Sequence, residues 1–125
     1  MEYVLTNPNP LNNDTGDCVI RAICIAENRE WDDVFLDLMV DAFQKKLIIE
    51  DNRLWIEYLH RLGYQRVNIP DTCPDCYLIR DFARDNPQGV YIVGTGTHLV
   101  TIINGVIYDT YNSAEKVPIY YFRKE

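Results

Sequence analysis

At 125 residues, 47% of them hydrophobic and 25% charged, the chain has the composition of an ordinary globular protein and the length of one domain covering residues 1–125. A formal charge of −7 gives no attraction to phosphate backbones or anionic lipid, which argues against nucleic acid and membrane surfaces as partners. Met1 to Pro10 lack the positive start and apolar core of a secretion signal, and no apolar run approaches a membrane span, so the expectation is a cytoplasmic protein whose four cysteines are free thiols.

Asn7 to Asp17, rich in Asn, Pro, Asp and Gly, reads as an irregular segment, with Thr15 or Asp17 as the cap of a helix from Cys18 to Ala26 that ends near Asn28. That helix is apolar on nearly every side, broken only by Arg21, and so is expected to be central and buried. Cys18 falls in its first turn, where unpaired backbone N–H groups and the macrodipole favour thiolate over thiol. Cys24, deep in the apolar run, reads as a small packed hydrophobe, and Arg21 as solvated or salt-bridged surface. A second helix fits Trp31 to Lys46, with Trp31, Val34, Phe35, Leu38, Met39 and Ala42 on a core face and acids opposite. A third, from Asn52 to Leu62, gathers Leu54, Trp55, Tyr58, Leu59 and Leu62, leaves His60 on its polar side and stops at Gly63, a left-handed cap.

Tyr64 to Ile69 alternates like a short strand and ends at Pro70. Thr72 reads as the N-cap of a fourth helix running through Ile79, Phe82 and Ala83 to Asn86, closed by Pro87-Gln88-Gly89. Three β-branched and aromatic runs follow, Val90 to Val93, Leu99 to Ile103 and Val106 to Tyr108; a last strand, Val117 to Phe122, is expected at a sheet edge because Pro118 limits its pairing. The class is α+β, a helical first half before an antiparallel sheet, without repeats or a dividing linker.

Cys73-Pro74-Asp75-Cys76 has the spacing of a redox pair or half a zinc site. Cys24 and His60, the spare ligands, follow no zinc pattern, and the hairpin-rich second half lacks the parallel units of a thioredoxin-like motif. These residues therefore read as loop or helix-start cysteines, and neither a metal nor a cofactor is expected. Gly94-Thr95-Gly96 is too short for a phosphate loop and reads as a place where the backbone comes close to a substrate or to the loop holding Cys18.

Asn104-Gly105 between two apolar runs is the sequence of a two-residue type I′ hairpin turn. If Ile103 faces Val106, then Val100 lies opposite Asp109, and His98 and Asp109 lie diagonally on one face, close enough for their side chains to meet. That face also carries Val100, Ile102 and Ile107, and is expected to lie against the first turn of the Cys18 helix. A bulge at the turn would separate the pair and leave Asn112 to compete for the place of Asp109. A thiol near a helix start, an imidazole to take its proton and a carboxylate to fix the ring's tautomer are what nucleophilic catalysis requires.

In Gly16-Asp17-Cys18-Val19-Ile20-Arg21-Ala22, in Thr97-His98-Leu99-Val100, in Gly105-Val106-Ile107-Tyr108-Asp109 and in the order Cys, His, Asp, the chain resembles the papain-like cysteine peptidase superfamily. The resemblance is to compact bacterial and phage-type peptidase-like proteins, including the leader-peptide peptidases of bacteriocin exporters, and covers the two ends better than Trp31 to Pro87. It implies a papain-like fold with Cys18 as nucleophile, His98 as base and Asp109 as orienter, performing acyl transfer on a peptide, isopeptide or amide bond of a peptide or protein substrate. In that superfamily a Gln before the cysteine helps hold the oxyanion; no Gln precedes Cys18 here, and the resemblance passes the role to the nearest amides, Asn12 with Asn13 beside it. The alternative is a catalytically silent module of the same fold that holds a protein partner in the Cys18 cleft or on the acidic surface.

Overall fold

The computed structural model describes residues 2–124. In chain order the elements are β1 (Glu2–Leu5), α1 (Cys18–Glu27), α2 (Trp31–Lys45), α3 (Asn52–Arg61), β2 (Tyr64–Asn68), α4 (Ile79–Asp85), β3 (Val90–Gly94), β4 (Leu99–Ile103), β5 (Val106–Asp109) and β6 (Tyr120–Lys124). The class is α+β, built on one six-stranded sheet in the order β1-β5-β4-β3-β6-β2.

The helices end for local reasons. Asn28 (φ 52) closes α1 and Lys46 (φ 57) closes α2, both in the left-handed region. Asp51 caps α3 by accepting the Arg53 N–H at 2.9 Å, and Gly63 (φ +97) ends it as the spacing predicts. Thr72 does not cap α4: its hydroxyl donates to the Asp75 carbonyl and accepts the Tyr77 N–H, both at 2.9 Å, so it folds the loop before the helix. The helix itself starts only at Ile79, with Asp81 reaching back to the Leu78 N–H at 2.9 Å.

Two features depart from the purely antiparallel sheet expected. Glu2–Leu5 forms β1, an edge strand parallel to β5, so the sheet is mixed. The last strand lies between β3 and β2 rather than at an edge; Pro118 and Val117 fall before its first paired residue, so the proline deprives the sheet of no donor.

The sheet is covered on both faces. Ile92, Leu99 and Phe122 pack with α1, α2 and α3, whereas Val93, Val100, Ile102 and Ile107 pack with Ile79, Phe82 and Ala83 of α4. The expectation that the face of Val100, Ile102 and Ile107 lies against α1 is therefore overturned, because α4 has its own apolar face to cover and takes that side. The α1 side is instead carried by the alternate residues of β4, where the Thr101 hydroxyl donates to the Ala22 carbonyl at 2.6 Å. On α2, Met39 is 44% exposed and so leaves the predicted core face, and Leu36, Val40 and Phe43 are exposed beside it. No helix among the described residues is long and apolar enough to cross a membrane.

Cys73 and Cys76 are joined in a disulfide, which corrects the expectation of four free thiols; the turn folded by Thr72 brings their Cα atoms to 4.1 Å. Their sulfurs are thus bound to each other. The free cysteines are Cys18, half-buried, and Cys24, buried.

Candidate active site

Two tight turns bring the predicted residues together. Asn104 (φ 50) and Gly105 (φ 78) form the I′ turn, and Ile103 pairs with Val106 as the sequence implies. The β3–β4 connection is equally short: the Thr95 N–H donates to the His98 carbonyl at 2.9 Å, with Gly96 at φ +98 in the first central position. His98 thus emerges where this turn meets β4, and Asp109 is the last residue of β5. Cys18 is the first residue of α1. The three meet at the end of the sheet rather than across a face, which is why they assemble although α1 packs on the side opposite to the one expected.

His98 Nε2 lies 2.7 Å from Asp109 Oδ2. Nε2 is thus engaged with Asp109, which leaves Nδ1 as the ring nitrogen open to Cys18, its neighbour in the lining of both grooves. Asp109 is itself fixed: its Oδ1 accepts the Thr110 N–H at 2.7 Å and its Oδ2 accepts the hydroxyl of the fully buried Ser113 at 2.8 Å. Its carbonyl accepts the Thr6 N–H at 2.8 Å, which ties the end of β5 to the segment after β1. Tyr111 leans on the His98 ring with centroids 4.9 Å apart, screening the His98–Asp109 pair. Asn112, the alternative orienter, accepts the Ala114 N–H at 3.1 Å and shapes the following turn instead.

The electrostatics favour charge separation between thiol and ring. Burial pushes the Cys18 thiol up, but the bonds from His98 and the Leu99 backbone, with the charges of His98 and Arg21, outweigh it and hold the thiol below its ordinary value. Burial pushes His98 down, yet its bonds to Asp109 and Cys18 and their charges raise it to about 9. Cys24 shows the opposite case: burial dominates there and drives its thiol up to about 11. Both shifts thus favour a thiolate beside an imidazolium over a neutral thiol beside a neutral ring. The chain matches no family model, no curated protein and no solved structure.

Cys18 and His98 open on two depressions. A broad groove of about 840 Å³ is lined on one side by Asn12, Asn13 and Arg21 and on the other by Thr110 and Tyr111; a narrower one of about 130 Å³ runs past Gly96 and Tyr120 to Asn52 and Trp55. Asn12, the predicted oxyanion amide, thus stands in the wall of the same groove as Cys18, on a loop turned by its own positive φ of 55. Gly94 makes room for the narrow groove's floor: a Cβ there would lie 2.2 Å from the Tyr120 ring.

Beneath Cys18 lies a polar cluster that sequence reasoning did not find. Asp17 occupies the cap position of α1 but turns its carboxylate inward, where it pairs with Arg21 and accepts the Trp31 indole N–H at 2.9 Å and the Asn9 amide at 3.3 Å. Arg21 is salt-bridged, one of its two expected states, but buried rather than on the surface, because Asp17 compensates its charge. Only the i, i+4 spacing of Asp17 and Arg21 hinted at this pair; Trp31 and Asn9 join through tertiary contacts.

Proposed function

We propose that the protein is a papain-like cysteine hydrolase that cleaves a peptide, isopeptide or amide bond by acyl transfer. The observation that carries this reading is that Cys18 and His98 line the same two grooves while His98 Nε2 lies 2.7 Å from Asp109 Oδ2.

In the reaction the Cys18 thiolate attacks the carbonyl carbon, forming a C–S bond and an oxyanion. The Cys18 backbone N–H at the start of α1, with the Asn12 amide from the groove wall, stabilises that charge. Collapse breaks the C–N bond as the His98 imidazolium gives its proton to the leaving nitrogen. Neutral His98 then takes a proton from water while the water oxygen attacks the thioester; the C–S bond breaks, and carboxylic acid, thiolate and imidazolium remain. Asp109 keeps the ring oriented and stabilises its charged form throughout. The substrate is a peptide or protein, consistent with an open groove rather than a closed cavity.

A screen of peptide, isopeptide and other amide substrates, with Cys18→Ala as control, tests the reading. Turnover by the unaltered protein that falls about 10³-fold or more in Cys18→Ala is the expected result. Equal turnover by Cys18→Ala overturns it, and absence of turnover alongside tight, groove-dependent binding of a protein partner would favour the silent module.

A further inference from the structure

Helix α2 has two apolar faces where the fold uses one. Val34, Leu38 and Ala42 bury the first in the core of the helical layer. On the opposite side Leu36, Met39, Val40 and Phe43, at the i, i+3, i+4 and i+7 spacing of one stripe, stand 58%, 44%, 52% and 74% exposed. Single apolar residues scattered over a surface are ordinary, but large ones gathered in one contiguous stripe mark a surface that another chain or a membrane covers. None of them lines either groove at Cys18, so the stripe plays no part in the proposed chemistry.

The charges at the two ends of the stripe decide what fits it. Asp32 and Asp33 stand exposed before it in the first turn of α2, and Lys46 closes it, with its ammonium 4.1 Å from the Phe43 ring centroid. Acids first and a base last suit the dipole of the helix itself. The same order makes the face complementary to its own inverted copy, because a second α2 laid antiparallel presents base where this one presents acid. Among the described residues no cation pairs with Asp32 and no carboxylate pairs with Lys46, so both can be engaged across such a contact. An anionic membrane is the poorer occupant, given those acids and a formal charge of −7.

The spacing also fixes a register. Asp32, Met39 and Lys46 are seven residues apart and so lie along one side of the stripe. Lys46 leaves the helical conformation (φ 57), yet its ammonium over Phe43 keeps its charge on that side. A two-fold axis passing by Met39 therefore sets Asp32 of one copy beside Lys46 of the other, Leu36 against Phe43, and Met39 against Met39. We propose that the protein associates with a second copy of itself through this face of α2, the two helices antiparallel. With the helix axes about 8–10 Å apart, so few side chains from each copy make an interface below about 1,200 Å² in total, the size of weak, reversible contacts. The dissociation constant expected is about 10–100 μM.

The test is sedimentation velocity on the full chain at concentrations from about 1 to about 500 μM, a range that brackets that constant. The expected result is a monomer–dimer equilibrium with no larger species, because a two-fold contact closes on itself. Phe43→Glu, at the most exposed position of the stripe, leaves the chain monomeric throughout. Asp32→Lys and Lys46→Glu each weaken the dimer about tenfold by setting like charges together at both ends of the contact. An equimolar mixture of those two variants recovers the dimer, since each then meets the opposite charge at both ends. A chain that stays monomeric at the highest concentration, that grows beyond a dimer, or whose dimer is indifferent to Phe43→Glu overturns the proposal. Charge variants that weaken the dimer singly without recovery on mixing overturn the antiparallel pairing. Should Phe43→Glu fail to fold, the two charge variants, which alter only exposed side chains, still decide. A chain that remains monomeric but binds a foreign amphipathic helix on this face assigns the stripe to another partner and overturns self-association.

Discussion

His98 is a half-buried imidazole that stays charged because a carboxylate on one side and a sulfur on the other outweigh its loss of water. Its pKa is raised from 6.5 to about 9, so the stabilisation it draws from Asp109 and Cys18 is fully present below about 6.5 and disappears as pH rises through about 9. Cys18 moves the other way, so the thiolate–imidazolium pair spans a window that opens below the ordinary thiol range and closes near pH 9. The predicted kcat/KM profile is accordingly bell-shaped, with its alkaline limb near pH 9. A single rise at the pKa of an ordinary thiol, without an alkaline fall, would contradict the ion pair. At this scale the residues that meet were legible, since Cys18, His98 and Asp109 declare themselves by chemical type and hairpin register. The groups that hold them were not. Ser113 binds the same carboxylate oxygen as His98, but nothing in Asn112-Ser113 says which side chain turns inward until the chain after β5 is folded.

The elements were legible where they are long and periodic. The starts of α1, α2 and α3 and the bounds of β4 follow directly from apolar spacing, caps and the glycine turns. β1 escaped because four residues, Glu-Tyr-Val-Leu, carry too little pattern, and its parallel partner β5 lies about a hundred residues away. The side of the sheet taken by α1 also escaped, because both faces of β4 are apolar and only the competing claim of α4 decides between them. The junction of α1 with α2 depends on Asp17, which ties its own helix start to Arg21, Trp31 and Asn9. Asp17→Asn leaves Arg21 buried without a counter-charge, at a cost of about 3 kcal/mol. Calorimetry at neutral pH should therefore show Tm falling by roughly 10 °C. A shift under about 2 °C would mean that the cluster carries little of the junction's stability.

Over the whole molecule, a helical layer covers one face of the mixed sheet, α4 covers the other, and the turn ends of the sheet are left as the place where chemistry gathers. The α+β class was legible from the shift of helical to strand periodicity along the chain; the layering was not, because it depends on which apolar faces meet. That layering also separates the free cysteines by environment, with Cys24 inside the helical core and Cys18 at the sheet end beside His98. Alkylation by iodoacetamide at neutral pH, read cysteine by cysteine by mass spectrometry, tests this arrangement most directly. Cys18 should react roughly a hundredfold faster than Cys24. His98→Ala should slow Cys18 toward the rate of an ordinary thiol. Equal labelling of the two cysteines, or a Cys18 rate indifferent to His98→Ala, would contradict the account.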